Sequence, residues 1–130
     1  NGLLEGLAYQ FAICNLLEMQ WRDASALNAA EFPHGPYEIV APGVPVIVLL
    51  GTDESRFVAE RARDFALTNG ADVTAIDLAE LDGFDPLLAP FALHLPLQWF
   101  NWYLGIERNR PISTRRYMGV QEYAPARPTR

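Results

Sequence analysis

Val44-Pro45-Val46-Ile47-Val48-Leu49-Leu50 is an unbroken apolar run, β-branched at Val44, Val46, Ile47 and Val48. Such a run, with no polar alternation, is typical of a strand buried on both faces, as in a parallel sheet. What comes next agrees with a parallel pairing. Thr52 or Asp53 caps a helix over 54–69, on which Phe57, Val58, Arg61, Ala62, Phe65 and Ala66 form one face, and Gly70 is the stop. Asp72 to Leu78 is then a second strand. Strand, helix and strand at this spacing make a βαβ unit with a right-handed crossover. Gly51-Thr52-Asp53 lacks the glycines and lysine of a phosphate loop, so it carries no nucleotide role.

Working outward, a helix is expected over 3–22, apolar on most sides and therefore buried or in an interface. Residues 24–32 read as weakly extended, and 37–40 as the start of a helical turn. Asp85-Pro86 is a cap followed by proline at the first helical position. It opens a long apolar helix to about Arg108, which Pro96 is expected to kink or break. His94 in that helix reads as a core or interface residue. Trp99, Phe100, Trp102 and Tyr103 are expected to pack on the sheet or on a second subunit. From Arg110 the chain loses periodicity and reads as a tail that wraps rather than packs.

Composition narrows the function classes. The chain has 130 residues, half of them hydrophobic, enough for one domain with a core. Its net charge of −6 argues against nucleic acid as the main partner, since phosphate binding needs a basic face. All ten cationic side chains are arginine. The one cysteine, Cys14, excludes an internal disulfide, fits a reducing compartment, and reads as a buried structural thiol. No apolar run reaches the ~20 residues of a membrane span. The chain begins on Asn1-Gly2 at the start of a helix and reads as a piece of a longer protein.

Two residues stand out as chemistry. Leu7, Phe11, Cys14, Glu18 and Trp21 follow at helical steps, which puts a glutamate on an apolar stripe. A carboxylate stripped of water has a raised pKa and can shuttle protons near neutral pH. The alternative is that the stripe faces an interface where Glu18 pairs with an arginine. His34 stands in Pro33-His34-Gly35-Pro36, a stiff turn that can hold an imidazole in one place. The plainer reading is a surface histidine on a loop.

Glu18, sixteen residues before His34, and the run Glu31-Phe32-Pro33-His34-Gly35-Pro36 resemble the glutamate-x-x-histidine-glycine-proline signature of the SIS-domain (sugar isomerase) proteins. The resemblance extends to the strand at Pro45–Leu50, to Leu95-Pro96-Leu97-Gln98, and to Ser113-Thr114-Arg115-Arg116-Tyr117-Met118 near Glu122-Tyr123. That tail is most similar to the fructoselysine 6-phosphate-type deglycases; a more distant likeness is to the isomerase domain of glucosamine-6-phosphate synthase.

The resemblance implies an α/β three-layer sandwich, a mostly parallel sheet flanked by helices. It would be the second SIS domain of a tandem protein, spanning residues 1–123 without its first strand, with 124–130 a flexible tail. It implies an enzyme that splits a 6-phosphorylated ketosamine into an aldose 6-phosphate and an amine. Glu18 would be the proton carrier and His34 the acid–base partner. Glu31, Ser113, Arg115 and Arg116 would contact substrate, and neither metal nor cofactor is implied. The partners implied are a phosphorylated sugar or sugar-amine and a second copy of the chain, in a cytoplasmic homodimer or higher oligomer with shared active sites. One departure bears on the reaction: the synthase branch uses a C-terminal lysine, and this chain has none. Arginine cannot form that Schiff base. The alternatives left are an aldose–ketose isomerase, a synthase-like isomerase domain, and a sugar-phosphate sensor without catalysis.

Overall fold

The structure, a computed structural model, describes residues 2–81 and 83–121. Its centre is the expected βαβ unit. Strand β1 (Pro45–Leu50) pairs in parallel with β2 (Asp72–Asp77), in register from Pro45 opposite Asp72 to Leu50 opposite Asp77. The crossover is helix α2 (Arg56–Thr68). The turn Gly43 N–H to Gly70 O, 3.0 Å, and Asp72 N–H to Val44 O, 2.8 Å, closes the amino-terminal edge of the unit.

The two faces of this sheet are covered by different helices. Ile47, Leu49 and Ile76 pack against Leu4, Leu7 and Phe11 of the amino-terminal helix and Ala89, Ala92, Leu93 and Leu97 of α3 (Ala89–Glu107). Val46, Val48, Leu50 and Val73 face α2 through Ala59, with Ala29 alongside. Helices, sheet and helix thus make three layers, an α/β fold. The face of α2 differs from expectation by a rotation. Ala59, Ala62 and Ala66 are buried, while Phe57 is 60% exposed. Alanines let the helix lie close to the strands, whereas a phenylalanine there would hold it off.

The amino-terminal helix is where the expected winding fails. It is α-helical only over α1 (Glu5–Gln10), and from Phe11 to Met19 it is a π-helix. A π-turn takes more than four residues, so the 3.6 spacing that united Leu7, Phe11, Cys14, Glu18 and Trp21 no longer describes one face. The buried positions are Leu4, Leu7, Phe11, Ala12, Asn15 and Gln20 instead. Cys14 is a free thiol and only half-buried, not the buried one expected.

Residues 24–32 form no strand, and Pro36–Ile39 make one 3₁₀ turn. Asp85 caps as expected, accepting from Leu87 N–H at 2.8 Å. α3 runs unbroken through Pro96. Leu93 and Leu97, each fully buried, anchor it on either side of the missing donor. Its outer face is apolar as well: Phe91, Leu95, Trp99, Tyr103 and Ile106 are each more than half exposed. Of the four aromatics of 99–103 only Phe100 packs on the core, edge-on to Phe11 with ring centroids 6.1 Å apart. His94 is half-buried in the same helix. Residues 124–130, and the proposed boundary at 123, lie outside the described residues.

Candidate active site

Glu18 occupies the last turn of the π-helix. Its carboxylate accepts from Arg115 Nε at 2.6 Å, across 97 residues of sequence. The Glu18 side chain is 33% exposed. The dry, apolar setting expected for it is therefore absent. The wide turn carries Glu18 out of the stripe and towards an arginine, the pairing weighed above, made within one chain.

The segment that presents Glu18 is fastened by side chains from α3 and the tail. Gln20 is fully buried and donates to both the backbone oxygen and the Oδ1 of Asn101, each at 2.8 Å. Arg108 donates to Gln20 O, and Arg110 Nε to Met19 O at 2.8 Å. Asn15 donates to Gln98 Oε1 at 3.2 Å and accepts from Gln10 Nε2 at 3.0 Å. Buried polar groups are nearly always paired; the amides of Asn15, Gln20 and Asn101 join the π-helix to α3, while Gln10 donates to Asn15 and keeps a buried Oε1 with no partner among the described residues. Nothing in the periodicity of the sequence marked Asn15, Gln20 or Asn101. The one available signal was polar residues at depth in two helices otherwise rich in apolar ones.

Trp21 follows with φ 52°, in the left-handed region that bulky residues avoid. The guanidinium groups of Arg110 and Arg116 lie over its indole ring. The tail, expected to wrap rather than pack, packs back onto the domain at Glu18 and Trp21. Loss of hydration, then repulsion from Arg116, Arg108 and Arg115, pulls the pKa of Arg110 below its ordinary value. Arg115 also donates to Ile112 O, which fixes the bend of the tail. Ser113 is exposed on that bend.

His34 is positioned by other means. Phe32 is buried and meets Tyr37 edge-on at 4.8 Å and Phe65 of α2 at 6.3 Å, while Tyr37 stacks on Phe65 at 3.7 Å. His34 N–H donates to Glu31 O at 2.9 Å, and Gly35 takes φ 131°, a conformation that favours glycine. Three aromatics thus clamp the turn to α2 and leave His34 and Glu31 exposed. His34 lines a shallow cleft of about 430 Å³ with Tyr37, Phe57, Val58 and Arg61. That cleft runs along the first two turns of α2. Glu18 is not among its walls, and among the described residues no hydrogen bond or ion pair joins Glu18 to His34. The structure brings Glu18, Arg115 and Arg116 together and sets His34 and Glu31 on the other helical layer.

A third polar cluster lies at the carboxyl ends of the strands. Arg56 donates to both carboxylate oxygens of Asp77, at 2.7 and 2.6 Å, to Gly51 O at 2.8 Å and to Glu60 at 2.8 Å. The Arg56 guanidinium holds the pKa of Asp77 below the usual carboxylate range. This pair ties the start of α2 to the end of β2. Among the described residues no group of three or more His, Cys, Asp or Glu is arranged to hold a metal ion.

The fold is that of the phosphosugar isomerases. The chain superposes on a candidate phosphosugar isomerase from Bacillus subtilis with a TM-score of 0.85, at 42% identity over 92% of this chain and 38% of that one. On a second, from Salmonella typhimurium, the TM-score is 0.89 at 34% identity, covering 94% of this chain and 40% of that one. The carboxy-terminal domain of glucosamine-fructose-6-phosphate aminotransferase from Francisella tularensis shares the fold at TM-score 0.75, with 19% identity over 88% of this chain and 36% of that one. In sequence the chain is a homologue of the fructoselysine-type deglycases. It is 43% identical to fructoselysine 6-phosphate deglycase of Escherichia coli K12 over 91% of this chain, and 42% identical to fructosamine deglycase of Bacillus subtilis over 95%. It spans 35% and 39% of the length of those relatives. No protein-family model matches. The likeness to the SIS-domain phosphosugar proteins, drawn from the Glu31–Pro36 signature, is borne out by these homologues and neighbours.

Proposed function

We propose that the protein to which this chain belongs is a deglycase acting on 6-phosphorylated ketosamines. The observation that carries the reading is the Glu18 carboxylate, held by Arg115 at the end of a fastened π-turn, in a homologue of two deglycases. The substrate is an amine joined to C1 of a ketose 6-phosphate, with the sugar ring opened. Glu18 removes a proton from C1 and an enaminol forms. Return of a proton to C2 leaves an imine at C1. Water adds to that imine and expels the amine, leaving an aldose 6-phosphate. The net reaction consumes one water and needs no oxidant. His34 opens the ring and protonates the leaving amine. Each such proton transfer contributes roughly 10²–10⁴-fold.

The separation of the two residues supports a site shared between subunits. His34 on the α2 layer of one copy meets Glu18 of another, in a homodimer or higher oligomer. The uncovered stripe from Phe91 to Ile106 supplies apolar surface for association. Glu31, on the same turn as His34, contacts substrate with it, and Ser113 and Arg115 line the Glu18 side. The lone free cysteine fits a reducing compartment, the cytoplasm. The test is incubation of the full-length protein with a panel of phosphorylated ketosamines. The expected outcome is stoichiometric release of aldose 6-phosphate and free amine. Isomerisation of unmodified sugar phosphates without amine release would point to an aldose–ketose isomerase instead.

A further inference from the structure

Asn15 makes hydrogen bonds that depend on the winding of its own helix. Its backbone oxygen accepts from Gln20 N–H at 3.0 Å, and its side-chain Oδ1 accepts from Gln10 Nε2 at 3.0 Å. Both partners stand five positions away, one on each side. In an α-helix two residues five apart point roughly 140° from each other, so the bond from Gln10 to Asn15 belongs to the π winding. The same side chain donates to Gln98 Oε1 of α3 at 3.2 Å and to Met19 Sδ at 3.8 Å. Asn101 Nδ2 donates to that sulfur from α3 at 3.4 Å. Asn15 is fully buried. A buried amide adds little net stability over an apolar side chain of its size, since its hydrogen bonds replace bonds to water. What it supplies is discrimination, because in any other register it is buried without partners. Leucine would fill the same space and leave residues 11–19 free to take the commoner α winding.

We propose that Asn15 is a positioning residue for the reaction: it locks the π register and so turns Glu18 out of the apolar stripe and onto Arg115. The inference rests on the reading of Glu18 as the base. At α winding Glu18 would follow Leu7, Phe11 and Cys14 on one face of the helix. It would then be drawn away from the 2.6 Å bond with Arg115 Nε. Asn15 acts on Glu18 through the turn that joins them and through Met19, the next residue. Met19 is held at both ends, its sulfur by Asn15 and Asn101 and its backbone oxygen by Arg110 Nε at 2.8 Å. A carboxylate that must meet one carbon atom of a substrate needs its backbone fixed in this way, since a displacement of about 1 Å can cost a hundredfold in rate.

The experiment separates register from stability. In the full-length protein Gln10→Leu, Asn15→Leu and Gln98→Leu are made together, so that Asn15 and both of its side-chain amide partners go at once. Replacing both sides of a buried polar contact by apolar groups is close to neutral for stability, and Tm is expected to stay within a few degrees of wild type. kcat on fructoselysine 6-phosphate is expected to fall by about ten- to a hundredfold with KM little changed, the signature of a misplaced reacting group. A crystal structure of the triple variant is expected to show α winding over residues 11–19 and Glu18 parted from Arg115. A wild-type kcat overturns the inference, and so does a π-helix that persists. A fall in kcat that only follows a fall in Tm also overturns it, because the role would then be structural. If the triple variant does not fold, Gln98→Met decides. It sits at a half-buried position, keeps the side-chain length and weakens the acceptor that holds Asn15. There kcat should fall about threefold or more at unchanged KM and Tm, and a wild-type kcat overturns the inference. Should the wild type release no amine from any phosphorylated ketosamine, the deglycase reading fails. The winding of residues 11–19 in the triple variant then still decides whether Asn15 sets the register.

Discussion

The βαβ unit and the amino-terminal helix cover opposite faces of one sheet, yet they are held by different means. In the unit β1–α2–β2 the bonds are close in sequence: strand ladder, helix turns, and an Arg56–Asp77 pair 21 residues apart. The helix of residues 5–19 and its cap Gln20 are held by partners 81 to 97 residues away: Asn101, Arg108, Arg110 and Arg115. The first region draws its hydrogen bonds from partners near in sequence, although one face of its sheet is covered by the amino-terminal helix and α3. The second keeps an uncommon winding and a left-handed Trp21 only because distant side chains fasten it. Unfavourable backbone of this kind persists where the surroundings over-determine it, and it concentrates at functional sites. With Glu18 as the proposed base, substitutions in the two regions should separate an effect on stability from an effect on turnover.

The largest effect is expected at Glu18. Glu18→Gln keeps the shape and the bond from Arg115 but loses the base. kcat should fall by roughly 10²–10⁴-fold, while Tm moves by no more than a partly exposed substitution allows, within about 0.5 kcal/mol. His34→Asn should lose activity comparably. Mixing the two inactive proteins under conditions that exchange subunits should restore a fraction of wild-type activity, because some hybrid dimers regain one complete site. Failure to recover activity, with exchange demonstrated by mass, would put both residues in one chain.

How far the sequence could be read follows the same division. The run Val44–Leu50, the stop at Gly70 and the second strand carried local signals, and the structure places them within a residue or two. The tail's packing on the domain was not expected, since a stretch without periodicity reads as one that wraps rather than packs. The winding of residues 11–19 carried no such signal, because a π-turn differs from an α-turn by one inserted residue and obeys no composition rule. Reading it at 3.6 residues per turn put Glu18 on an apolar face that does not exist. The pairing of Glu18 with Arg115 was beyond reach for another reason: contact across 97 residues depends on where a non-periodic tail folds back. His34 was legible through Pro33, Gly35 and Pro36, whereas its anchor needed Phe65 of α2 to be seen behind Phe32 and Tyr37.

An intermediate effect, on stability alone, is expected in the βαβ unit. Asp77→Asn leaves Arg56 without its bidentate partner and should cost about 1–3 kcal/mol at pH 7. The sign of its pH dependence is set by the depressed pKa of Asp77, caused first by the hydrogen bond from Arg56. A carboxylate whose pKa is lower folded than unfolded stabilises fully above the unfolded value, near 3.8, and loses that contribution as pH falls through the folded value. The gap in Tm between wild type and Asp77→Asn should therefore be widest near neutrality and close as the solution is taken below about pH 4. Amine release per folded molecule should be unchanged at pH 7. A gap that widened in acid would mean that the pair does not hold the unit together.

The smallest change in stability, and the sharpest test of the division, is expected at Gly105. It lies in the last turns of α3, buried where the tail turns back over the helix. A Cβ there would stand 2.9 Å from Ile112 Cγ2, 3.1 Å from the backbone oxygen of Arg110 and 3.4 Å from Gln20 Nε2. Two opposing terms act on Gly105→Ala. Alanine favours the helix by up to about 1 kcal/mol over glycine. The contact with Arg110 O works against it, because that backbone is bound by Arg110 N–H to Gly105 O at 2.8 Å and has little room to retreat. Ile112 can rotate; the carbonyl cannot leave without unseating the turn at Asn109, itself at φ 48°. The terms nearly cancel in stability, so Tm should shift by only a few degrees in either direction. They do not cancel in the site. Displacing residues 110–112 loosens Arg110 from Met19 and Arg115 from Glu18 together. kcat/KM should fall by about tenfold or more, the scale of one lost charge-assisted hydrogen bond at the carboxylate proposed as the base. Full activity in a Gly105→Ala protein would show that the tail does not position Glu18, and the division between the two regions would then have to be redrawn.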